Sequence, residues 1–389
     1  MRFQRIVVIG DDGPYARSVT MGIFTYAQLK NRWELHFESN PGTGDLSRLR
    51  LALRQWNPQG IIAQLQRPTL ARMISNIGIP VVNFSDERPT SSPTVTSDNH
   101  AAGRLAARHL LDNGFGHFAF YANNHHRAAQ QHGAGFRQAL TQSGFDCDLF
   151  PAPVRGGADH SQWAIYNHSL EQWLGGLPRP AALLCTNDFH AQELTLTCRR
   201  LGLQVPQHIA VIGVGNDPAI CPKMAPALSS VDIDAPRIGY VAAELLDALL
   251  SGQPAPAQPI LIPPREIVVR LSSDVIAVSD PQVATALQFI RAHAGEPINV
   301  KDLLNICSLT RRMLDLRFQQ ALGRTISREI KRVRIERAKD LLRRSPLSIR
   351  AVARAAGFHS PRLFARLFHQ ITGILPTQYR AQTQSQSTG

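Results

Sequence analysis

The chain has 389 residues, of which 43% are hydrophobic, and a formal net charge of +13 at pH 7. This length exceeds what one hydrophobic core usually organises, and the apolar content excludes a disordered chain. The five cysteines are scattered without zinc-ligand spacing, the first residues lack the long apolar segment of a secretory leader, and no apolar run reaches the length of a membrane span. We expect a cytoplasmic protein of two or three domains with reduced thiols.

Residues 1–270 alternate short apolar runs with amphipathic stretches of helical length. The predicted strands are RIVVIG (5–10), WELHFES (33–39), GIIAQL (60–65), IPVVNFS (79–85), HFAFYA (117–122), AALLCTND (181–188) and IAVIGVG (209–215). The predicted helices are ARSVTMGIFTYAQLK, HAAGRLAARHLLDNG, GAGFRQALTQSG, FHAQELTLTCRRLG and PRIGYVAAELLDALLSG. This alternation indicates parallel sheets with helices on both faces, and the length suits two lobes. Ligands of such sheets bind outside the carboxyl ends of the strands.

The pattern changes after residue 270. Residues 253–264, QPAPAQPILIPP, contain five prolines and predict an extended crossing segment, and LSSDVIAVSD (271–280) predicts a linker. From Pro281 onward the pattern is helical throughout. The predicted organisation is therefore an α/β two-lobed domain over 1–270, a linker over 271–280 and an all-α domain over 281–389.

The positive charge is confined to the predicted helical domain. Of the 42 Lys and Arg residues, 19 lie after residue 280, against 6 of the 29 Asp and Glu residues, and this excess equals the whole net charge. A compact basic domain beside a neutral one is typical of nucleic-acid binding, because phosphates favour clustered Lys and Arg. A basic tail for solubility or membrane contact is the alternative, but periodic Leu, Ile, Phe and Ala are not the low complexity of a tail.

The helical part contains an internal repeat with a shift of 50 residues. The pairs that align are Thr310 with Ser360, Arg312 with Arg362, Leu314 with Phe364, Phe318 with Phe368, Gln320 with Gln370, and Gly323 with Gly373. We expect two successive copies of one helical unit.

The second copy is predicted as helix, tight turn, helix. The first helix spans Leu347–Ala356 with Ser348 as its N-cap, and Gly357 ends it in a left-handed conformation. Ser360 caps the next helix, with Pro361 at its first position. Small residues, Ala353 and Ala356, are expected where the helices cross, and the stripe expected to pack inward is Leu363, Phe364, Leu367 and Phe368. The residues expected to face DNA in the major groove are Ser360, Arg362, Ala365, Arg366 and His369.

The first copy has the same predicted form. Asn299 and Asp302 cap the helix VKDLLNIC, and Thr310 caps RRMLDLRFQQAL. The residues expected to pack inward are Leu314, Phe318 and Ala321. The residues expected to face DNA are Thr310, Arg311, Arg312, Asp315 and Gln319. A long helix over 326–345, with Ile330, Val333 and Leu341 or Leu342 on its apolar side, would hold the two recognition helices about 34 Å apart.

The residues of 281–381 resemble the DNA-binding domain of the AraC/XylS family. The second half, LSIRAVARAAGFHSPRLFARLFHQITGILPTQYR, follows that family's signature most closely. The matching positions include Gly357, Phe358, Phe364, Phe368, Gly373, Pro376 and Tyr379-Arg380. In the first unit Ser308 occupies the position of the turn glycine, which would cost about 1 kcal/mol in a left-handed conformation. An ordinary helical domain whose arginines face solvent is the alternative interpretation.

The neutral part resembles the ligand-binding domain shared by lactose-repressor-type regulators and periplasmic sugar-binding proteins. The segments that carry this resemblance are TVTSDNHAAGRLAARHLLDNGFGHFAFYA, GAGFRQAL, LLCTND and IAVIGVGNDPAICPKMAPALSSVDIDAPRIGYVAAELL. The fusion with an AraC-type domain is similar to the group of xylose-operon (XylR-like) regulators. The resemblance implies a cleft that closes on a small carbohydrate. The ligand-binding candidates are Tyr15, Arg17, Asp98, His132, Asn187, Asp188, Asn216 and Asp217.

Two of these positions depart from the family pattern. Gly215 stands where the relatives place a sugar-binding aspartate, and His132 stands where an arginine commonly precedes the Gly-Phe dipeptide. The identity of the carbohydrate, xylose or another pentose included, therefore stays open. Asp98 and the Asn187-Asp188 pair have an alternative role as caps of the helices that follow them.

Other motifs do not support catalysis or a cofactor. IGDDGPYAR lacks GxGxxG spacing, NNHHRAAQQH (123–132) lacks a carboxylate or cysteine partner at ligand spacing, and no catalytic constellation occurs. We therefore expect no cofactor and no metal. The expected function is a sugar-responsive, sequence-specific transcription regulator acting on duplex DNA as a homodimer, with activation or repression left open. A DNA-tethered sugar enzyme and an orphan regulator without a ligand are the rivals.

Overall fold

The computed structural model describes residues 3–39, 46–85, 87–88, 90–123, 126–152, 160–278 and 280–384. The chain divides into two compact units. Unit 1 comprises Met1–Leu110 and Gly116–Val275, and unit 2 comprises Leu111–Phe115 and Ile276–Gly389. The change from unit 1 to unit 2 at residue 275 lies within the predicted linker. Within the described residues, no helix is long and apolar enough to cross a bilayer.

The described residues of unit 1 form a four-stranded parallel sheet, a six-stranded mixed sheet and a two-stranded pair. The strands are β1 (Gln4–Gly10), β2 (Trp33–Ser39), β3 (Gly60–Ala63), β4 (Val81–Asn83), β5 (Val95–Ser97), β6 (His117–Asn123), β7 (Asp148–Ala152), β8 (Ala181–Cys185), β9 (Ile209–Val214), β10 (Ser229–Asp232), β11 (Ile260–Ile262) and β12 (Glu266–Val268). The first sheet has the order β2-β1-β3-β4 and the second β12-β10-β9-β8-β6-β7, and only β12 is antiparallel to its neighbour. Strands β5 and β11 form a separate parallel pair.

Helices connect these strands. They are α1 (Pro14–Lys30), α2 (Ser47–Trp56), α3 (Pro68–Ser75), α4 (Asn99–Asp112), α5 (Arg127–Thr141), α6 (His160–Gly176), α7 (Asp188–Arg200) and α8 (Ala235–Leu250). The predicted α/β class with parallel sheets is confirmed. All seven predicted strands and all five predicted helices are present, with ends shifted by a few residues. The strands that the sequence did not predict are mostly three or four residues long, too short to show a periodicity.

The described residues of unit 2 form helices. They are α9 (Pro281–Ala292), α10 (Val300–Ile306), α11 (Arg311–Leu322), α12 (Ile326–Arg344), α13 (Ile349–Ala355), α14 (Pro361–Thr372) and α15 (Pro376–Gln384). They enclose two cores, and α12 contributes to both. Ile326 and Ile330 pack into the first core with α9, α10 and α11. Ile335, Ala338 and Leu342 pack into the second core with α13 and α14. The long predicted helix thus joins the two repeat units.

The predicted helix caps are confirmed. Asn299 and Asp302 form a capping box at α10, and the side chains of Thr310, Ser348 and Ser360 accept hydrogen bonds from the backbone N–H groups of Met313, Ala351 and Leu363. Gly357 has φ +78°, in the left-handed region that the turn after α13 requires.

Two details of the repeat differ from expectation. Leu363 is 39% exposed rather than packed inward, because the core of this unit is filled by Phe364 and Phe368. Ser308 is not left-handed, so the expected backbone strain is absent. The first turn instead passes through Cys307 in an extended conformation, with φ −105° and ψ 130°.

Candidate functional site

A cavity of about 330 Å³ lies in unit 1, lined by residues of both lobes. Most of its polar lining follows the carboxyl end of a strand, as expected for doubly wound sheets. In the first lobe, which contains the sheet β2-β1-β3-β4, Asp11 follows β1 and Gln64 follows β3. In the second lobe, which contains the sheet β12-β10-β9-β8-β6-β7, Thr186 follows β8 and Gly215 follows β9.

Five of the eight ligand-binding candidates line this cavity. They are Tyr15, His132, Asn187, Asp188 and Asp217. The lining also contains polar residues that the sequence interpretation missed, among them Asp11, Gln64, Glu87 and Asn99. Asp11 and Gln64 could have been found, because Asp11 directly follows one predicted strand and Gln64 lies near the end of another.

Arg17, Asp98 and Asn216 lie outside the lining of the cavity. Arg17 lines a second cavity of about 580 Å³, and its guanidinium donates to the carbonyl oxygen of Asp12. The Oδ1 atom of Asp98 accepts a hydrogen bond of 2.8 Å from the Ala101 N–H at the start of α4, which is the capping role. Asn216 Oδ1 accepts a hydrogen bond of 2.8 Å from Arg270 Nη2.

Asp188 is a buried carboxylate whose two oxygens are both satisfied. Its Oδ2 atom accepts from the Asp217 N–H at 2.8 Å and its Oδ1 atom from the Ser230 hydroxyl at 2.6 Å. Burial raises the pKa of the Asp188 carboxyl above its ordinary value, while these hydrogen bonds act in the opposite direction. A Cβ on Gly215, which has φ +123°, would lie 3.2 Å from Asp188 Oδ2. An aspartate at Gly215 would therefore bring a second carboxylate against Asp188 on a strained backbone.

His132 reaches the cavity through a close crossing of α4 and α5. A Cβ on Gly103 would lie 2.0 Å from the carbonyl oxygen of His132, so only glycine permits this approach. The His132 side chain is 4% exposed, and its Nε2 atom lies 3.2 Å from Asn99 Oδ1. Burial lowers the pKa of His132 to about 4, so the imidazole is neutral near pH 7. Histidine thus supplies a neutral group to the lining of the cavity.

Tyr15 and Asn187 are fixed by hydrogen bonds to the backbone. The Tyr15 hydroxyl donates to the Phe84 carbonyl oxygen at 2.9 Å. Asn187 Oδ1 accepts from the His190 N–H at 2.9 Å, so this residue both caps α7 and lines the cavity. Polar groups held in this way are pre-organised for hydrogen bonds to a polyol.

In unit 2, the exposed face of α14 carries the second set of DNA-binding candidates. Arg362, Arg366 and His369 are exposed, and Ala365 is half-buried between them. Ser360 caps the helix with a hydrogen bond of 3.3 Å from the Leu363 N–H. An N-capped helix with exposed cations has the form that helix-turn-helix proteins insert into the major groove.

The corresponding face of α11 is less cationic. Arg311, Arg312 and Gln319 are exposed, and Thr310 caps the helix. Asp315 lies 3.9 Å from Arg311 Nε, and its Oδ1 atom accepts a hydrogen bond of 3.2 Å from the Ile326 N–H. Asp315 is therefore engaged within the protein, where its counterpart in the repeat is Ala365.

Two arginines of α12 tie the repeat units together. The Nη2 atom of Arg334 donates to the carbonyl oxygens of Glu296 at 3.0 Å and Ile298 at 2.8 Å, before α10. The Nε atom of Arg337 donates to the carbonyl oxygen of Ala355 at 2.9 Å, at the end of α13. These bonds fix α12 against both repeat units, which agrees with its predicted place as a spacer between them.

Among the described residues, no group of three or more His, Cys, Asp and Glu side chains is placed to hold a metal ion. Asn124 and His125, in the histidine-rich segment singled out from the sequence, lie outside the described residues.

Comparisons with known proteins find one match in each part of the chain. Residues 107–273 match the model of a periplasmic binding protein-like domain, and residues 303–382 match that of a helix-turn-helix domain. The xylose operon regulatory protein of Escherichia coli K12 is 29% identical over 378 residues, which cover 94% of each chain. That of Haemophilus influenzae is 28% identical over 376 residues, covering 94% of this chain and 95% of the relative.

A solved structure is similar to this chain over nearly its whole length. The structure of the xylose-binding transcription activator xylR is 27% identical, covers 98% of both chains and superposes with a TM-score of 0.63. These relatives are transcription regulators and not enzymes. The helix-turn-helix domain implies DNA binding, and the periplasmic-binding-protein-like domain implies a small carbohydrate effector.

Proposed function

We propose that this chain, a homologue of the xylose operon regulators that joins a periplasmic-binding-protein-like domain to a helix-turn-helix domain, changes its affinity for an operator when a small carbohydrate binds. The observation that carries the proposal is the presence in one chain of a cavity with polar side chains at strand ends and two capped helices with exposed arginines.

Hydroxyl groups of the sugar would bond to the polar lining of the cavity. The proposed contacts are Tyr15, His132, Asn187, Asp188 and Asp217, together with Asp11, Gln64, Glu87 and Asn99. A pentose is the first candidate for the effector, because the relatives that match the whole chain are named for xylose. The cavity volume, about 330 Å³, is at the small end of ligand sites and suits a small carbohydrate.

The DNA contacts are proposed on α11 and α14. The base-reading candidates are Arg311, Arg312, Gln319, Arg362, Arg366 and His369, with Thr310, Asp315, Ser360 and Ala365 on the same faces. Arginine forms bidentate hydrogen bonds to guanine, so the exposed arginines are the main candidates for sequence recognition. We propose that the protein acts in the cytoplasm as a homodimer, because helix-turn-helix dimers bind paired half-sites and two-fold dimers are the commonest oligomers.

Coupling between the sites requires that the sugar bind one arrangement of the protein better than another. The test combines calorimetry on a panel of neutral pentoses and hexoses with selection of bound duplexes from a random pool. A sugar at 100 times its dissociation constant should stabilise the protein by about 2.7 kcal/mol and should shift the affinity for the selected duplex. Selection of a duplex without a response to any sugar would indicate an orphan regulator, and turnover of a sugar would indicate an enzyme.

A further inference from the structure

The charges around the cavity are of one sign. The described lining residues include the carboxylates of Asp11, Glu87, Asp188 and Asp217, and they include no Lys or Arg. Carbohydrates of one size differ in charge: amino sugars are cations near pH 7, ordinary sugars are neutral, and uronic acids are anions. The charge of the lining can therefore discriminate among them.

The contacts of the four carboxylates show which of them can act on a ligand. Asp188 is the least available, because both of its oxygens accept hydrogen bonds from the protein. Asp11 and Asp217 each accept one backbone hydrogen bond through Oδ1, from the N–H groups of Gly13 and Ala219, both at 2.8 Å. These bonds orient the two side chains and leave each carboxylate with further acceptor capacity.

Glu87 is the third available carboxylate. Its Oε2 atom lies 3.4 Å from His126 Nδ1 and accepts a hydrogen bond of 3.2 Å from the Arg127 N–H. The His126 side chain is 61% exposed, so solvent screens this pair and it offsets little of the charge.

The cations and the second histidine nearby do not neutralise the lining. His132 is uncharged near pH 7, because its burial keeps the pKa low. Arg17 and Arg270 lie outside the lining, and their described hydrogen bonds go to the protein, to Asp12 in one case and to Leu228 and Asn216 in the other. A bound carboxylate or phosphate would face carboxylates without a partner cation, which is unfavourable at low dielectric.

We infer that the cavity selects a polyol that carries a protonated amine over the neutral polyol of the same skeleton, and that it excludes the corresponding acid. This inference rests on the proposed function, since it assigns the chemical class of the effector to the same cavity. An ammonium group can donate three hydrogen bonds and is also attracted by the negative charges of Asp11, Glu87 and Asp217. A hydroxyl group can donate a hydrogen bond to these carboxylates but carries no charge.

The test compares three series by calorimetry with the full chain. They are glucosamine, glucose and glucuronate; galactosamine, galactose and galacturonate; and mannosamine, mannose and mannuronate, all as D-sugars. In the series that binds best, we expect the amino sugar to bind about tenfold or more tighter than the neutral sugar, and the acid not to bind. Equal or tighter binding of the neutral sugar or of the acid would overturn the inference and leave the proposed function intact. Binding of a neutral sugar of the panel, a pentose included, without binding of any amino sugar would also overturn the inference. Absence of binding by all members and by the neutral sugar panel would instead overturn the proposed function.

A matched pair of variants tests whether the cavity charge causes the preference. Glu87→Gln keeps the shape of the side chain and removes one charge, so the ratio between amino and neutral sugar should fall several-fold. Asp146→Asn removes the same charge from an exposed residue of unit 1 outside the lining and should leave the ratio unchanged. Equal ratios in wild type and Glu87→Gln would contradict a role for this carboxylate.

Discussion

Arg324 and Glu329 form an ion pair inside unit 2, with 2.5 Å between Arg324 Nε and Glu329 Oε2. The Glu329 side chain is fully buried and also pairs with Arg332 Nη2 at 2.8 Å. Both arginines pair in addition with Asp112 of the same unit. Although burial alone would raise the pKa of Glu329, its hydrogen bonds and charge interactions with Arg332 and Arg324 lower the pKa. The carboxylate is therefore ionised in the folded protein.

Loss of this carboxylate should destabilise unit 2. Glu329→Gln removes the fully buried carboxylate and leaves Asp112 alone against two guanidinium groups, and we expect a loss of about 3 kcal/mol in the free energy of unfolding, measured with denaturant. Glu336→Gln is the matched control on the same helix, because Glu336 is 52% exposed and pairs with Lys339 at 2.7 Å. The control should change stability by less than about 0.5 kcal/mol. Equal effects of the two substitutions would contradict the assigned role of Glu329.

Two left-handed glycines of unit 2 should respond differently to alanine. Gly373 has φ +79° and open space around its missing Cβ, so Gly373→Ala should cost roughly 1 kcal/mol from the backbone alone. Gly357 has φ +78°, and its Cβ would lie 2.8 Å from the carbonyl oxygens of Ala294 and Glu296. Gly357→Ala should therefore cost about 2–3 kcal/mol, measured by denaturant unfolding. A smaller loss of stability for Gly357→Ala than for Gly373→Ala would contradict this prediction, because it would show that the loop before α10 moves to accommodate the added methyl group.

Base recognition by α14 can be tested at Arg362. If this side chain reads a guanine, Arg362→Ala should weaken binding to the selected duplex by about 1–3 kcal/mol and relax the preference at one base pair. Arg48→Ala, which removes the same charge from an exposed residue of unit 1, controls for the loss of net charge. Uniform weakening on all sequences would identify Arg362 as a phosphate contact and would contradict base reading.

The buried imidazole of His132 should make unit 1 sensitive to acid. Below the ordinary histidine pKa of 6.5, the unfolded chain takes up a proton that the folded chain does not accept until about pH 4. Stability should therefore fall as the pH drops through this window, by about 2 kcal/mol between about pH 7.5 and about pH 5. His132→Gln should lack this contribution, which the difference between the two unfolding curves at each pH measures. An identical pH dependence of wild type and variant would exclude a neutral buried His132.

The long elements were predictable, whereas several short ones were not. Strand β9 is an unbroken apolar run, and α14 shows both its cap and its stripe of phenylalanines in the sequence. Strand β10, SSVD, has two buried serines: the Ser229 hydroxyl bonds to the backbone of Arg270, and the Ser230 hydroxyl donates to Asp188. Such a strand has no local signal, since the partners of its polar groups are distant in the sequence.

The cavity was predictable in position but not in every residue. The resemblance to sugar-binding domains led to Asp188 and Asp217, which follow the ends of β8 and β9. Asp98 and Asn99 are neighbours, yet Asn99 lines the cavity and Asp98 caps α4, because successive side chains at a helix start point in different directions. Glu87 lies two residues after the predicted strand IPVVNFS (79–85), but its place in the lining depends on the tertiary fold.

The central claim is that sugar binding and DNA binding are coupled in one protein. Its most direct test is the affinity for the selected duplex, measured over a range of salt concentrations with and without the sugar that binds most tightly. We predict that the affinity falls steeply with salt, as basic recognition surfaces require, and that the sugar changes it at least about fivefold. Binding to no duplex in a salt-dependent manner, or the same affinity with and without the bound sugar, would contradict the account.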